Sequence, residues 1–101
     1  MDFDDICFLV SQEITKNEYL REITKDVLRQ VFCKRGNISR SEFFNGGRQG
    51  KKPEFMLTIA KMDYDKEDEI EYQGKRYAVY RTYEIDLDYI EIYCEEKGGV
   101  Q

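Results

Sequence analysis

The sequence has no histidine, no tryptophan and a single proline. Without histidine, the Ser–His and Cys–His pairs that activate a nucleophile cannot form. It also has no apolar run near the roughly 20 residues that a membrane-spanning helix needs. The start is acidic, with aspartate at positions 2, 4 and 5, which is the wrong charge for a secretory signal or a transit peptide. We therefore expect the chain to begin its life in a cytoplasm, without a membrane contact.

A surplus of basic residues is missing as well. The 101 residues carry 16 Lys and Arg against 21 Asp and Glu, which gives a formal net charge of −5. Because phosphate binding needs a Lys and Arg surplus, this balance argues against a free-standing nucleic-acid binder. The negative charge is still compatible with an acidic wall beside DNA, because repulsion keeps the DNA mobile. The length fits one domain, residues 1–101.

The three cysteines, Cys7, Cys33 and Cys94, are widely separated. An odd number without CxxC spacing argues against a disulfide framework and against a zinc site. Each lies in an apolar, strand-like run. The sequence therefore predicts three reduced core residues.

An alternation of apolar and polar residues with a period of two dominates the sequence, and it predicts mainly β structure. We expect six strands, which begin near Ile6, Thr24, Phe55, Ile70, Arg76 and Tyr89. In the first strand, the buried face is expected to hold Ile6, Phe8, Val10 and Ile14. The second strand, residues 24–38, breaks the alternation, which predicts a bulge or a sharp bend.

The other strands alternate more regularly. Phe55, Leu57 and Ile59 share one face of the third strand, and Ile90, Ile92 and Cys94 share one face of the last. Hairpin turns are expected at residues 73–75 and between Glu84 and Asp88. Tyr19 and Leu20, in the loop after the first strand, are expected to pack back on the barrel. Residues 96–101 are expected to form a frayed tail.

One helix signal interrupts the strands. Ser39 and Glu42 have the spacing of a capping box, and Phe43 and Phe44 follow, with Gly46 placed to stop the helix after one or two turns. Residues 45–53 hold three glycines, the proline and three basic residues, which predicts a flexible loop. The fold expected is a small antiparallel β-barrel or sandwich of about six strands, with one short helix and a long Gly-rich loop.

No catalytic, cofactor-binding or metal site is expected. The Gly46-to-Lys52 stretch resembles a phosphate-binding loop, but its glycine spacing is one residue short and Lys52 replaces the magnesium-binding Ser or Thr. The acidic run at residues 63–69 lacks the glycine and the flanking helices of a calcium loop. Asp86 and Asp88 are expected at an exposed hairpin tip, where burial cannot tune them for acid–base work. We therefore predict that the protein is not an enzyme.

The basic and aromatic segment, residues 34–52, is the most suggestive functional feature. One interpretation is an ordinary mobile surface loop. The other is a loop that becomes ordered on contact with a partner or with DNA. The composition leaves both open.

Two stretches resemble a known family. SRSEFFNGGRQGKKPE (residues 39–54), which leads into FMLTI (residues 55–59), is similar to a segment of phage head–tail joining proteins. EYQGKRYAVYRTY (residues 71–83) and DYIEIYCEEK (residues 88–97) resemble their C-terminal strand pair. Together with the first strand, the likeness covers nearly the whole chain in the same order.

The resemblance implies a small β-barrel that assembles as a ring, typically twelvefold, in the virion neck. Such a ring sits under the portal or its adaptor, completes the head after DNA packaging and offers the surface on which a tail-completion or tail protein docks. DNA lies in the channel and is not read by sequence. During assembly the subunits are in the host cytoplasm.

In stopper members of this family, a long loop lines and closes the channel. Carried over to this chain, that loop is residues 39–53, with its gating tip at Arg48, Gln49, Gly50 and Lys51. Its anchor consists of Ser39, Glu42, Phe43 and Phe44. The tandem Gly46-Gly47 departs from the family pattern. The candidates for subunit contacts are tyrosines of the last two strands, namely Tyr80, Tyr83, Tyr89 and Tyr93.

An alternative function is a small barrel that binds single-stranded nucleic acid. In that case Phe43, Phe44 and neighbouring tyrosines serve as stacking platforms. The net charge of −5 is the main argument against it. Salt-dependent binding of short oligonucleotides distinguishes the two.

Overall fold

A computed structural model describes residues 3–97. Its six strands are β1 (Asp5–Lys16), β2 (Glu22–Gly36), β3 (Pro53–Ala60), β4 (Glu69–Tyr72), β5 (Lys75–Glu84) and β6 (Tyr89–Glu96). One α-helix, α1 (Arg40–Arg48), lies between β2 and β3, and a 3-10 turn (Lys61–Asp63) follows β3. In the described part of the chain, no helix is long and apolar enough to cross a membrane.

The strands close into a barrel in the order β1-β2-β3-β6-β5-β4, and every neighbouring pair is antiparallel. The short pairing of β4 with residues 8–10 of β1 completes the ring of strands. Closure gives every strand of the barrel a partner on each side over part of its length, although β5 beyond Ala78 pairs only with β6. The predicted small antiparallel β-barrel with one short helix is confirmed.

The core follows the alternation that the later strands predicted. Phe55, Leu57 and Ile59 of β3 are buried, and so are Ile90 and Ile92 of β6. The Phe55 ring packs against two tyrosine rings from β4 and β5, with centroid distances of 5.2 Å to Tyr72 and 4.6 Å to Tyr77. Aromatic contacts of this kind add stability beyond the apolar area that they bury.

The three cysteines are buried and unpaired, as predicted. A hydrogen bond with Cys7 and burial both raise the pKa of the Cys33 thiol. Burial raises the pKa of Cys94 to about 12. The Cys33 and Cys94 thiols therefore stay protonated at neutral pH, and all three cysteines act as small core side chains.

The predicted buried face of β1 is wrong. Cys7 and Leu9 face the core, whereas Ile6 and Ile14 are exposed by 40% and 64%. Phe8 is half-buried, and only Val10 of the predicted set is buried, outside the main core cluster. The alternation of Ile6, Phe8 and Val10 is present, but it marks the outer face of the barrel wall, and Ile14 lies beyond the barrel. Near the barrel, β1 is thus apolar on both faces.

Of the bulge or sharp bend predicted in β2, a bulge is absent. β1 and β2 pair without a register shift from Asp5↔Cys33 to Lys16↔Glu22. Residues 11–30 extend beyond the barrel as a two-stranded hairpin, here called the arm, and help to give the molecule its 51 Å length. Tyr19 and Leu20 at its tip are 75% and 77% exposed, so they do not pack back as expected. The irregular apolar pattern of β2 reflects this position outside the barrel.

The two hairpin turns lie where they were predicted. Gln73 and Gly74 form a two-residue turn, with positive φ angles of 51° and 80°. Residues 85–88 connect β5 to β6. The tail predicted over residues 96–101 differs at its start, because Glu96 is the last residue of β6, and from Gly98 onward it lies outside the described residues.

The helix is longer than predicted. Ser39 is its N-cap, and the Ser39 Oγ accepts a hydrogen bond from the Glu42 N–H at 3.1 Å. The helix passes through Gly46 and ends at Arg48, and the left-handed residue is Gly50, with φ of 79°. Residues 39–53 are therefore mostly helix, and the link to β3 is only residues 49–52. Gly46 is buried because the helix lies close to Pro53 at this point.

The two adjacent glycines of the helix give a matched stability test. A Cβ at Gly46 would lie 2.7 Å from Pro53 Cγ, whereas a Cβ at Gly47 meets nothing within 4 Å. We expect Gly46→Ala to lower the free energy of unfolding by about 1–3 kcal/mol through overpacking. Gly47→Ala is expected to raise it by up to about 1 kcal/mol through helix propensity. Urea denaturation of both variants measures the difference, and equal effects would contradict the packing of α1 on Pro53.

Candidate functional site

The inner face of α1 is polar. Glu42, Asn45, Gly46 and Gln49 of the helix line a shallow cavity of about 360 Å³ together with Tyr80 and Arg81 of β5. These helix positions fall on one side at a period of 3.6 residues. The face that α1 turns toward the barrel thus consists of one carboxylate, two amides and a glycine.

Glu42 fixes the helix to β5. Its Oε2 accepts a hydrogen bond from the Tyr80 hydroxyl at 2.7 Å, and its Oε1 accepts one from Arg81 Nη2 at 2.5 Å. A register shift between Val79 and Arg81 in the β5–β6 pairing accompanies this contact. Such a bulge changes the direction of the side chains around it. In this way two consecutive residues of β5 reach the same carboxylate.

The pKa values agree with an ionised Glu42. Burial raises the pKa of Glu42, but the hydrogen bonds from Arg81 and Tyr80 outweigh it, so the pKa lies below its usual value. The hydrogen bond to Glu42 also raises the pKa of Arg81. Burial, together with the hydrogen bond to Glu42, raises the pKa of Tyr80 above its usual range. All three groups therefore keep their ordinary charge at neutral pH.

The network continues to β6. The Arg81 guanidinium lies over the Tyr93 ring at 4.1 Å from its centroid, a cation–π contact. The Tyr93 hydroxyl donates to Glu91 at 2.7 Å. Burial and this bond raise the pKa of Tyr93 to about 12. Tyr80 and Tyr93, predicted as subunit contacts, are thus half-buried and engaged within the chain.

The other two tyrosines predicted as subunit contacts lie near the β5–β6 turn. Tyr83 is 55% exposed. Tyr89 is half-buried and stacks on Phe3, with a centroid distance of 5.1 Å. The structure therefore brings Tyr80 and Tyr93 together beside α1 and leaves Tyr83 and Tyr89 apart from them.

The predicted gating tip spans the end of α1 and the link to β3. Arg48 is the last helical residue, Gln49 the C-cap and Gly50 the left-handed residue after it. Lys51 lies 3.7 Å from Glu95 of β6, and the backbone N–H of Lys52 donates to the same carboxylate at 3.0 Å. The tip is exposed but is held at both ends, by the helix and by Glu95.

The outer face of α1 is aromatic and basic, opposite to an ordinary surface helix. Arg40, Phe44 and Arg48 follow one another at intervals of four residues, and Phe43 and Gly47 lie beside them. Phe43 and Phe44 are 54% and 58% exposed, and their rings touch edge to face. A surface helix normally buries its apolar stripe and exposes its polar one. Here the phenylalanines are exposed and the side that Glu42 holds against β5 is polar, with Gly46 buried and Asn45 and Gln49 exposed.

The sequence predicted Ser39, Glu42, Phe43 and Phe44 as one anchor. The structure divides this set: Ser39 caps the helix and Glu42 binds β5, whereas the two phenylalanines point away. The residues that sequence reasoning missed are Arg81, which holds Glu42, and Arg40, which flanks Phe44. The signal for Arg40 was present in its spacing of four from Phe44 and eight from Arg48.

Exposed hydrophobic side chains are numerous on the described surface. Fourteen large hydrophobic residues are exposed and fourteen hydrophobic residues are buried. The exposed ones lie mainly on the arm, on the outer face of α1 and on the β5–β6 turn, where Leu87 is 89% exposed. Exposed apolar side chains that lie next to one another, as Phe43 and Phe44 do on α1, mark candidate contact surfaces.

The acidic run at residues 63–69 is engaged in structural contacts. Glu67 pairs with Arg29 of the arm at 2.8 Å, and its other oxygen accepts from the Asp65 N–H at 2.8 Å. Arg29 also donates to the carbonyl of Asp63 at 2.6 Å. Within residues 3–97, no group of three or more potential metal ligands comes together.

Comparisons with known proteins give no family assignment: no family model and no curated protein matches the chain. The resemblance to head–tail joining proteins therefore rests on the segments 39–59, 71–83 and 88–97. These segments supply α1 with β3, the β4–β5 hairpin and β6, which are the elements around Glu42.

The contact of Glu42 with Arg81 and Tyr80 predicts a pH-dependent contribution to stability. Because the folded-state pKa of Glu42 is lowered, the contribution is complete above the usual value of 4.5 and is lost as the pH falls through the folded-state pKa. At neutral pH we expect Glu42→Gln to lower the free energy of unfolding by about 1–2 kcal/mol.

Denaturation of the wild type and of Glu42→Gln over a pH series measures this difference, which should shrink as the solution becomes acidic. Glu54→Gln, at an exposed position of β3, is the matched control and should have little effect. A Glu42→Gln difference that is the same at every pH would contradict the ionised contact.

Proposed function

We propose that this chain is a non-enzymatic subunit of the neck of a tailed bacteriophage or prophage. It acts as a head-completion protein, in a ring between the portal or its adaptor and the tail. The observation that carries the proposal is the helix α1, which presents Phe43 and Phe44 outward. A structural subunit needs such surface because association buries it.

The arm supports the same function. It projects from the barrel with strand edges that no strand within residues 3–97 covers, and Ile14, Tyr19, Leu20 and Ile23 on it are exposed. Exposed strand edges pair readily with another chain. An arm of this kind suits a subunit whose neighbours lie above, below and beside it.

The gating role is proposed for the tip at residues 48–51. Gly50 is left-handed at φ of 79°, a conformation that glycine leaves and enters at low cost. The Glu95 contacts with Lys51 and with the Lys52 backbone hold the tip near the barrel. Release of these contacts would let the tip move across a channel, while the overall net charge of −5 keeps DNA from binding tightly.

A catalytic role is not proposed, and the best-formed polar cluster illustrates the reason. Glu42 is neutralised by Arg81 and bound by Tyr80, so its carboxylate is occupied by the chain itself. General acid–base work needs a group that can exchange a proton with a substrate near neutral pH. The lowered pKa of Glu42 moves it away from that range.

The direct test is electron microscopy of a lysate from a phage or prophage that lacks this gene. We expect free tails beside tailless heads, many of them emptied of DNA, and normal particles when the wild-type gene is supplied in trans. Intact, DNA-filled, tailed particles from the deletion would refute the proposed function.

The exposed Phe43–Phe44 pair also favours the second candidate, a barrel that binds single-stranded nucleic acid. The ring centroids are 6.0 Å apart, and Arg40 and Arg48 flank the pair on the helix. Bases stack on such exposed rings without sequence preference. The net charge of −5 opposes this function.

Fluorescence anisotropy with short single-stranded oligonucleotides separates the candidates. The neck function predicts no binding by the wild-type protein at moderate salt. Binding that weakens with salt and is lost in Phe43→Ser/Phe44→Ser would favour the nucleic-acid function instead.

A further inference from the structure

The outer face of α1 has a definite chemical pattern. Its centre is apolar, at Phe43 and Phe44, and a basic residue lies on each side, Arg40 and Arg48. Gly47 leaves the surface between them open, since a Cβ there would meet no atom within 4 Å. These five residues are called the helix face below. A partner for it must be apolar at its centre and acidic at its edges.

The β5–β6 turn, residues 85–88, has the opposite pattern. Leu87 is 89% exposed and lies between Asp86 and Asp88. Asp86 Oδ1 accepts hydrogen bonds from the backbone N–H groups of Asp88 and Tyr89 at 2.8 and 3.0 Å, which fixes the shape of the turn. The turn therefore presents one apolar side chain between two carboxylates on a preformed loop.

The charges of residues 34–101 are divided in the same sense. Residues 34–52 contain six basic residues and one acidic residue, net +5, whereas residues 53–101 contain six basic and thirteen acidic residues, net −7. A division of this kind favours contact between unlike ends of two identical molecules. It also disfavours contact between two helix faces, which would bring like charges together.

We propose that the helix face of one copy docks on the β5–β6 turn of a second copy. Leu87 contacts Phe43 and Phe44, and the aspartates beside it face Arg40 and Arg48. The two surfaces cannot satisfy each other within one chain, because Phe43, Phe44 and Leu87 all remain more than half exposed. The occupant is a second copy because the chain itself carries both matching halves.

The contact has a defined symmetry. The two surfaces differ, so the interface is head-to-tail, and each copy keeps one surface of each kind for the next copy. Repetition of such a contact closes a ring when the rotation permits. The patch is small compared with a standard interface of about 800 Å² per partner, so the isolated contact is expected to be weak. Ring closure and neighbouring neck proteins then strengthen it.

Sedimentation equilibrium of the full chain tests the contact. We expect the wild type to associate reversibly at millimolar concentration, and less so at high salt because the charges are screened. Phe43→Ser/Phe44→Ser and Leu87→Ser should each weaken association by at least about tenfold. Met62→Ser is the matched control, since Met62 is 91% exposed and lies outside both surfaces.

A mixing experiment tests the head-to-tail arrangement. The helix-face variant retains an intact turn, and Leu87→Ser retains an intact helix face. Each variant alone is expected to be monomeric, whereas an equimolar mixture should form heterodimers that do not grow further. Circular dichroism confirms that the variants are folded, as expected for exposed positions.

Three association results would overturn the proposal. They are a wild type that stays monomeric at millimolar concentration, variants that associate as the wild type does, and monomeric variants that fail to complement each other in the mixture. Oligonucleotide binding that is lost in Phe43→Ser/Phe44→Ser, while self-association of that variant is unchanged, would also overturn it. The helix face would then be a nucleic-acid-binding surface.

The inference names the subunit contact of the proposed ring, and to that extent it rests on the proposed function. The two can nevertheless fail separately. If the gene deletion yields tailless heads but the isolated protein is monomeric, the neck function is supported and this contact is refuted. If the variants complement each other in the mixture but the gene deletion yields intact particles, the contact is supported and the neck function is refuted.

Discussion

The ion pair between Glu42 and Arg81, with the Tyr80 hydroxyl on the same carboxylate, decides what the surface of this protein can do. A nine-residue helix is too short to hold its own orientation in water. The three-group contact fixes it and turns its polar side inward. Phe43 and Phe44 are consequently exposed, and the basic residues beside them point the same way. Without this contact, burial of the two rings against the barrel would be the favourable arrangement.

Much of the fold was predictable from alternation and turn chemistry, because these signals are local. The buried residues of β3 and β6 alternate regularly, and Gln73-Gly74 specifies a two-residue turn. The face of β1 was predicted wrongly because both of its faces are apolar near the barrel. Alternation alone cannot then say which face is the inside. The arm was not predicted for a related reason. The lengths of two paired strands do not show at which residue the barrel ends.

The candidate site was predictable only in part. The capping signal located the start of α1 correctly, but Gly46 suggested an end that the structure does not have. A buried glycine inside a helix marks close packing as well as a stop, and here Pro53 is the neighbour that requires it. The partner of Glu42 lies 39 residues away on β5. Such long-range pairing depends on barrel topology and on a bulge, neither of which a single sequence displays.

We propose that the exposed apolar surfaces of this chain are covered by neighbouring copies and neck proteins in a virion. A reconstruction by electron microscopy of the neck of wild-type particles tests it most directly. We expect a ring of this barrel below the portal or its adaptor, with the helix face of each copy against the β5–β6 turn of the next. A neck fully accounted for by other proteins, with no density for this barrel, would contradict it.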